Sequence, residues 1–247
     1  SEMCIRDSYY SERLDDVAWE NDLGGYRAYG PALQKRGERG FGYDLFTKYN
    51  TTEPILESLY AEELDKEKRA KIAELKKTDP KAAAELQNAI SYNIDHGYGM
   101  DCYAVGPTLG CGTAALMAGD TIIYPYCYRT QEILDNGPLR FTVKLEFNPL
   151  TVRGDSNVVE TRVITLDAGS YLNKAVISYT NLKEAMPVTT GLVLREPDGK
   201  VVADAANGYI TYVDPTTDRS GGNGKIFVGA AFPAQVKEAK VVLFEEK

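Results

Sequence analysis

Leu139-Arg140-Phe141-Thr142-Val143-Lys144-Leu145-Glu146-Phe147 alternates apolar and polar side chains along its whole length. A period of two places the apolar set on one face, which predicts a strand with one side buried. Val158 to Leu166 repeats the pattern. Strand-length apolar runs also lie at Ile122 to Tyr128, Ala175 to Tyr179, Val188 to Leu194, Gly208 to Val213, Ile226 to Ala231 and Val241 to Phe244. Turn-forming clusters separate them, among them Asn136-Gly137-Pro138, Glu196-Pro197-Asp198-Gly199, Asp214-Pro215 and Gly221-Gly222-Asn223-Gly224. Short strands at this spacing predict a mainly β fold, an antiparallel β-sandwich.

Working outward, Trp19 to Tyr29 reads as two strands broken at Gly24-Gly25. Between residues 53 and 90 the period changes. Leu56, Leu59, Tyr60, Leu64, Ile72 and Leu75 recur at three- and four-residue steps among Glu, Lys and Ala, which predicts a helical insertion. Asp79-Pro80 ends one helix and starts another, with Pro at a first-turn position. The charge run from Glu62 to Lys77 fits a solvated helix face better than a partner-binding helix. Tyr92 to Gly119 reads as a loop region punctuated by glycine.

Composition narrows the function. The 28 Lys and Arg against 36 Asp and Glu give a net charge of −8, which excludes partners captured by a broad basic surface, nucleic acid first. No run nears the ~20 apolar residues of a membrane span. Ser1 to Ser8 resembles a translated sequencing adapter and is set aside, leaving one sandwich domain over 9–247. Both natural ends are expected to be missing, so a lost leader stays compatible with a periplasmic or secreted protein.

Three groups of side chains invite chemistry. Asp95-His96-Gly97-Tyr98-Gly99-Met100-Asp101-Cys102-Tyr103 holds the single His of the chain, two carboxylates and two phenols on a glycine-sprung loop. Trp19-Glu20-Asn21-Asp22 places the single Trp beside carboxylates, with Arg27 and Tyr29 on the following strand. Tyr124, Tyr126 and Tyr128 share one face if Ile122 to Tyr128 is a strand, and a flat ring with a polar tip suits a sugar. Each has a plainer account: a surface His with capping aspartates, a core Trp with solvated neighbours, and ordinary sheet packing. Cys102, Cys111 and Cys127 lack zinc-type spacing, although a Cys102–Cys111 pair is conceivable. No phosphate loop or nucleophile elbow is present. No cofactor is expected; oxygen ligands abound for a divalent cation, without a spacing that supports one.

At these motifs the chain resembles a numbered domain-of-unknown-function family from polysaccharide-degradation loci of saccharolytic bacteria. The resemblance rests on residues 11–22, Arg27-Ala28-Tyr29-Gly30-Pro31-Ala32-Leu33, residues 95–101, Val105-Gly106-Pro107, residues 136–140 and Leu166-Asp167-Ala168-Gly169-Ser170. It implies a galactose-mutarotase-like supersandwich of the polysaccharide-lyase type and carbohydrate work. Phe41 to Lys48 departs from the pattern of the family.

The resulting expectation is a lyase or dehydratase that acts by β-elimination on uronic-acid-containing oligosaccharides. Arg27 would neutralise the carboxylate, His96 would take the proton and Tyr103 or Tyr98 would protonate the leaving oxygen. Trp19, Glu20, Asp22, Tyr29, Tyr98, Asp101 and Tyr126 would bind the sugar. A non-catalytic carbohydrate-binding module, a glycoside hydrolase and a sugar epimerase are the alternatives. Each of them is placed in one hollow lined by the Trp19 strand and the His96 loop.

Overall fold

The alternating strands pair as their pattern requires. In the computed structural model, which describes residues 6–10, 15–49, 53–196, 200–217, 222–232 and 236–240, the chain is mainly β with several antiparallel sheets. The first sheet is a meander in chain order: β1 (Arg6–Tyr10), β2 (Asp16–Glu20), β3 (Gly24–Ala28), β4 (Asp44–Lys48) and β5 (Gly99–Met100). A short helix, α1 (Pro31–Lys35), lies between β3 and β4, and α2 (Leu56–Glu63), α3 (Lys66–Thr78) and α4 (Pro80–Ile90) lie between β4 and β5. This is the helical insertion expected over 53–90. Asp79 closes α3 and caps α4, its carboxylate accepting from the Ala82 amide at 3.1 Å.

The later strands are β6 (Cys111–Ala118), β7 (Thr121–Ile123), β8 (Tyr128–Asn136), β9 (Arg140–Phe147), β10 (Leu150–Val152), β11 (Asp155–Asp167), β12 (Lys174–Thr180), β13 (Val188–Leu192), β14 (Val201–Asp204), β15 (Tyr209–Asp214) and β16 (Ile226–Ala231). They form a sheet ordered β10-β11-β9-β8 with β12 on β11, and two three-stranded sheets, β13-β6-β7 and β14-β15-β16. The first sheet packs on the β8–β12 sheet. Val17, Trp19, Ala28 and Tyr43 from one side meet Phe141, Val143, Leu145, Phe147, Ile164 and Leu166 from the other, which is the core of a β-sandwich.

The opposite face of the first sheet is covered as well. Ala18 and Phe46 pack there with Ile55, Leu56, Leu59 and Tyr60 of the α2 region and with Tyr92. Strand alternation therefore divides β2: Val17 and Trp19 enter the sandwich core, and Ala18 enters the helical layer, where Glu20 also points.

Four local expectations are corrected. Gly24 and Gly25 lie inside β3, and the turn sits at Asn21 to Leu23, where the Asn21 side chain accepts from the Leu23 and Gly24 amides. Ile122 to Tyr128 is not one strand. β7 ends at Ile123 and β8 begins at Tyr128, because Pro125 has no amide to give a ladder, so the three tyrosines share no strand face. Cys111 to Ala118 is a strand rather than loop. Cys102, Cys111 and Cys127 are free thiols, so Cys102 and Cys111 do not pair. Val241 to Phe244 and most of the turn at Pro197 lie outside the described residues.

Candidate functional site

The helical face of the first sheet carries a buried ionic knot. The β3–β4 register sets Arg27 opposite Asp44. Arg27 ion-pairs through Nη2 with Asp44 and, at 2.9 Å, with Asp101, which arrives from the loop before β6. The Tyr29 hydroxyl donates to Asp44 Oδ2 at 2.6 Å, and Arg27 Nη1 donates to the Tyr60 hydroxyl at 3.4 Å. The guanidinium carbon lies 4.9 Å from the ring centre of Tyr29 and 5.2 Å from that of Phe46. Arg27, Asp44 and Asp101 are each at most 3% exposed. One cation thus faces two carboxylates. Burial, and then the charge of Asp44, push the Asp101 carboxyl up to about 8, although Arg27 opposes them. Its Oδ1 is buried and has no hydrogen-bond partner among the described residues.

The expected site residues do not gather in one hollow. Trp19 is 1% exposed, stacked on Phe141 at 5.8 Å, with its indole N–H on Asn173 Oδ1 at 2.8 Å. Glu20 is 1% exposed and holds Lys48 and the Ile55 and Leu56 amides. Asp22 accepts from the Gly169 amide at 2.7 Å. Tyr103 is buried with its hydroxyl on the Gly110 carbonyl at 2.9 Å, and burial holds its phenol well above its ordinary pKa. His96 is exposed, with Nε2 3.0 Å from the Ser91 carbonyl and its ring 6.4 Å from that of Tyr98. Tyr98 packs at the edge of the helical layer. Tyr98 of the His96 loop thus packs with the helical layer, whereas Trp19 packs in the sandwich core on the other face of the first sheet. Arg27 is enclosed by its own partners and presents no free edge to a ligand.

Two of the expected residues do come together elsewhere. Tyr29 and Tyr126 line a groove between Gly40 to Tyr43 and Pro125 to Tyr128, floored by Phe147 and Arg162. Glycine permits the close approach. A Cβ on Gly40 would lie 2.6 Å from the Tyr29 ring, and one on Gly42 2.2 Å from the Gly110 amide nitrogen. The enclosed space is about 10 Å³, room for about one water. A larger ligand would have to lie across the mouth. There, Tyr126 is 49% exposed, and half-buried Phe41 stacks on Tyr124 with centroids 4.8 Å apart. On the floor, Arg162 is paired with Glu160 and lies over the Phe147 ring at 4.3 Å.

The family model described as "Domain of unknown function (DUF4861)" matches residues 2–246. The chain belongs to this DUF4861 family. It is also 26% identical over 211 residues to "Uncharacterized protein P7" of Formosa agariphila. That alignment covers 83% of this chain and 47% of the relative, so the chain spans about half the length of the curated relative it matches. No solved structure matches.

Sequence reasoning missed part of the groove in this DUF4861 chain. Phe41 and Tyr43 were not among the expected site residues, and the Gly40-x-Gly42 spacing beside them was the available signal. A second depression of about 370 Å³ lies among Asp155, Ser156, Asn157, Asn181, Leu182 and Lys183, with no aromatic side chain in its lining. No group of three or more His, Cys, Asp or Glu among the described residues could hold a metal ion. No helix among the described residues is long and apolar enough to cross a membrane.

Proposed function

We propose that this DUF4861 chain is a carbohydrate-active domain that engages an oligosaccharide across the mouth of the Tyr29–Tyr126 groove. The observation that carries this reading is the exposed aromatic surface there: Tyr126 beside the Phe41–Tyr124 stack. Flat rings with hydroxyl tips give a sugar both an apolar face and hydrogen bonds. Polysaccharide-locus membership and a periplasmic or secreted location belong to the same proposal. Tyr126→Ala is expected to weaken glycan binding about tenfold in calorimetric titration. Its stability should stay within about 0.5 kcal/mol, since the side chain is half exposed. Undiminished affinity in this variant, against the glycan that the parent binds best, would remove the groove from the reading.

A lyase or dehydratase acting on uronic-acid-containing oligosaccharides is the second reading. One observation favours it: Tyr29 belongs both to the groove and to the Arg27–Asp44–Asp101 knot. Such chemistry yields an unsaturated, ultraviolet-absorbing product. Incubation of the full-length protein with uronate oligosaccharides should therefore raise absorbance. The His96→Ala variant is expected to keep that activity, because His96 lies away from the groove on the exposed loop.

A further inference from the structure

Phe227 is the most exposed large apolar side chain among the described residues, at 83%. It stands on β16, the last strand of the β14-β15-β16 sheet. Alternation gives this strand two faces. Ile226 and Val228 turn inward, to the cluster that holds Tyr103, Val105 and Tyr212. Ala230 turns the same way, since a Cβ on Gly112 of β6 would lie 3.5 Å from its own. Phe227, Gly229 and Ala231 therefore turn outward. The ladder carries this outer face across the sheet. Phe227 pairs with Val213, and Gly229 pairs with Thr211, which pairs in turn with the exposed Val202.

The edge of β16 is bare as well. β15 occupies one side, and among the described residues no strand and no hydrogen bond reaches the other. Proteins usually guard such an edge with charge, proline or a bulge. β8, an edge of the sandwich sheet, has that protection in Arg129, Glu132 and Asp135. Ile226-Phe227-Val228-Gly229-Ala230-Ala231 has no charge and no proline, and it pairs with β15 in unbroken register. An open row of backbone N–H and C=O groups is completed by an extended polypeptide, which a saccharide ring or a lipid surface cannot imitate.

The side chains select which polypeptide. Antiparallel pairing of β16 with a second β16, about a two-fold axis through Val228, sets each Phe227 opposite Gly229 of the other copy on the outer face. Each ring then covers the bare backbone of a glycine, which is how an aromatic side chain repairs an edge glycine. The two Phe227 residues are diagonal neighbours across the axis, ~7–8 Å apart and within reach of each other's rings. Lys225 falls opposite Ala231 in this register, so no like charges meet even though each chain carries −8. β12 is the rival edge, free of charge after Lys174, but it lacks this reciprocity: pairing about Ile177 sets Val176 opposite Ser178.

We propose that β16 pairs with β16 of a second copy of this chain, joining the two β14-β15-β16 sheets into one of six strands. None of the β16 residues lines the aromatic groove, so the pairing is independent of the sugar reading. Sedimentation velocity of the 247-residue chain over about 1–500 µM tests it. The average mass is expected to rise toward twice that of one chain. Amide exchange in Ile226–Ala231 should slow as concentration rises, while exchange in β12 stays constant. Phe227→Lys changes a side chain in open solvent, so it should weaken association about tenfold or more at an unchanged Tm. Phe227→Tyr should stay within about threefold of the parent, and Val176→Lys on the rival edge within about twofold. A monomer at every concentration, a Phe227→Lys variant that associates like the parent, or concentration-dependent protection on β12 in place of β16 would overturn the proposal. So would a longer DUF4861 protein that stays monomeric with Ile226–Ala231 protected at every concentration, because its own chain would then close the edge.

Discussion

Asp101→Asn is expected to flatten much of the pH dependence of stability between about pH 4 and pH 8, and to leave the protein more stable than its parent above that range. The cause is the buried knot, where Arg27 is the one cation among the described residues that ion-pairs with Asp44 and Asp101. Burial and Asp44 raise Asp101 to about 8, against about 3.9 for an unfolded aspartate. Between these two values the folded state is expected to hold a proton that the unfolded state has released. For a raised pKa the stabilisation is complete below about pH 4 and is lost as pH rises through about 8. A gap of this size corresponds to a loss on the order of 5 kcal/mol across the window. Asparagine keeps an oxygen for Arg27 Nη2 and never ionises, so this slope should vanish with it. Burial also raises Asp214, which leaves a residual slope of the same sign. Urea unfolding at pH 5, 7 and 9 is the measurement. Parallel pH profiles for parent and variant would show that Asp101 is already ionised in the folded state.

The sandwich was readable wherever one sheet face is buried and the other wet. In β9 the buried Phe141, Val143, Leu145 and Phe147 alternate with the more exposed Arg140, Thr142, Lys144 and Glu146, so the pattern of a single strand states its environment. β6 escaped because that condition fails. Thr113, Ala114, Ala115 and Leu116 are buried in succession, on both faces, and no polar alternation marks them. Glycines at positions 110 and 112 then made a strand look like loop. The α2–α4 insertion was legible from its period, and its internal break from Asp79-Pro80. α1, a single turn and a half, is too short to show a period.

The site was less legible, for a topological reason. Trp19 and Glu20 are neighbours in sequence and look like parts of one cluster. Adjacent strand positions point opposite ways, and here both faces of the sheet are covered. One residue was therefore sent into the sandwich core and the other under α2. Which layer covers which face is set by contacts remote in sequence, as when Asp101 reaches Arg27 across 74 positions. The Tyr29–Tyr126 meeting is of the same kind, and nothing local announces it.

Glu20 offers the sharpest contrast between a sugar ligand and a structural brace, and Glu20→Ala is expected to cost about 3–5 kcal/mol of stability. Its carboxylate accepts from the Ile55 and Leu56 amides at 3.0 Å and from Lys48 Nζ at 2.9 Å. The amides belong to the start of α2, whose own N-cap, Ile55, has no side chain able to cap. Glu20 thus supplies from the sheet the capping acceptor that the helix lacks, with a negative charge at the positive end of its dipole. Removing it strands two buried donors and leaves Lys48, whose side chain is 1% exposed, without a counter-charge. Glu20→Gln keeps oxygen for the amides and should lose less. Adding Lys48→Met to Glu20→Ala should recover part of the loss, because the orphaned cation is what costs most; this double-mutant cycle isolates the pair. Thermal and urea unfolding of the four proteins would read it. A Glu20 whose main work is to bind sugar would show the reverse signature, with glycan affinity lost and Tm unmoved.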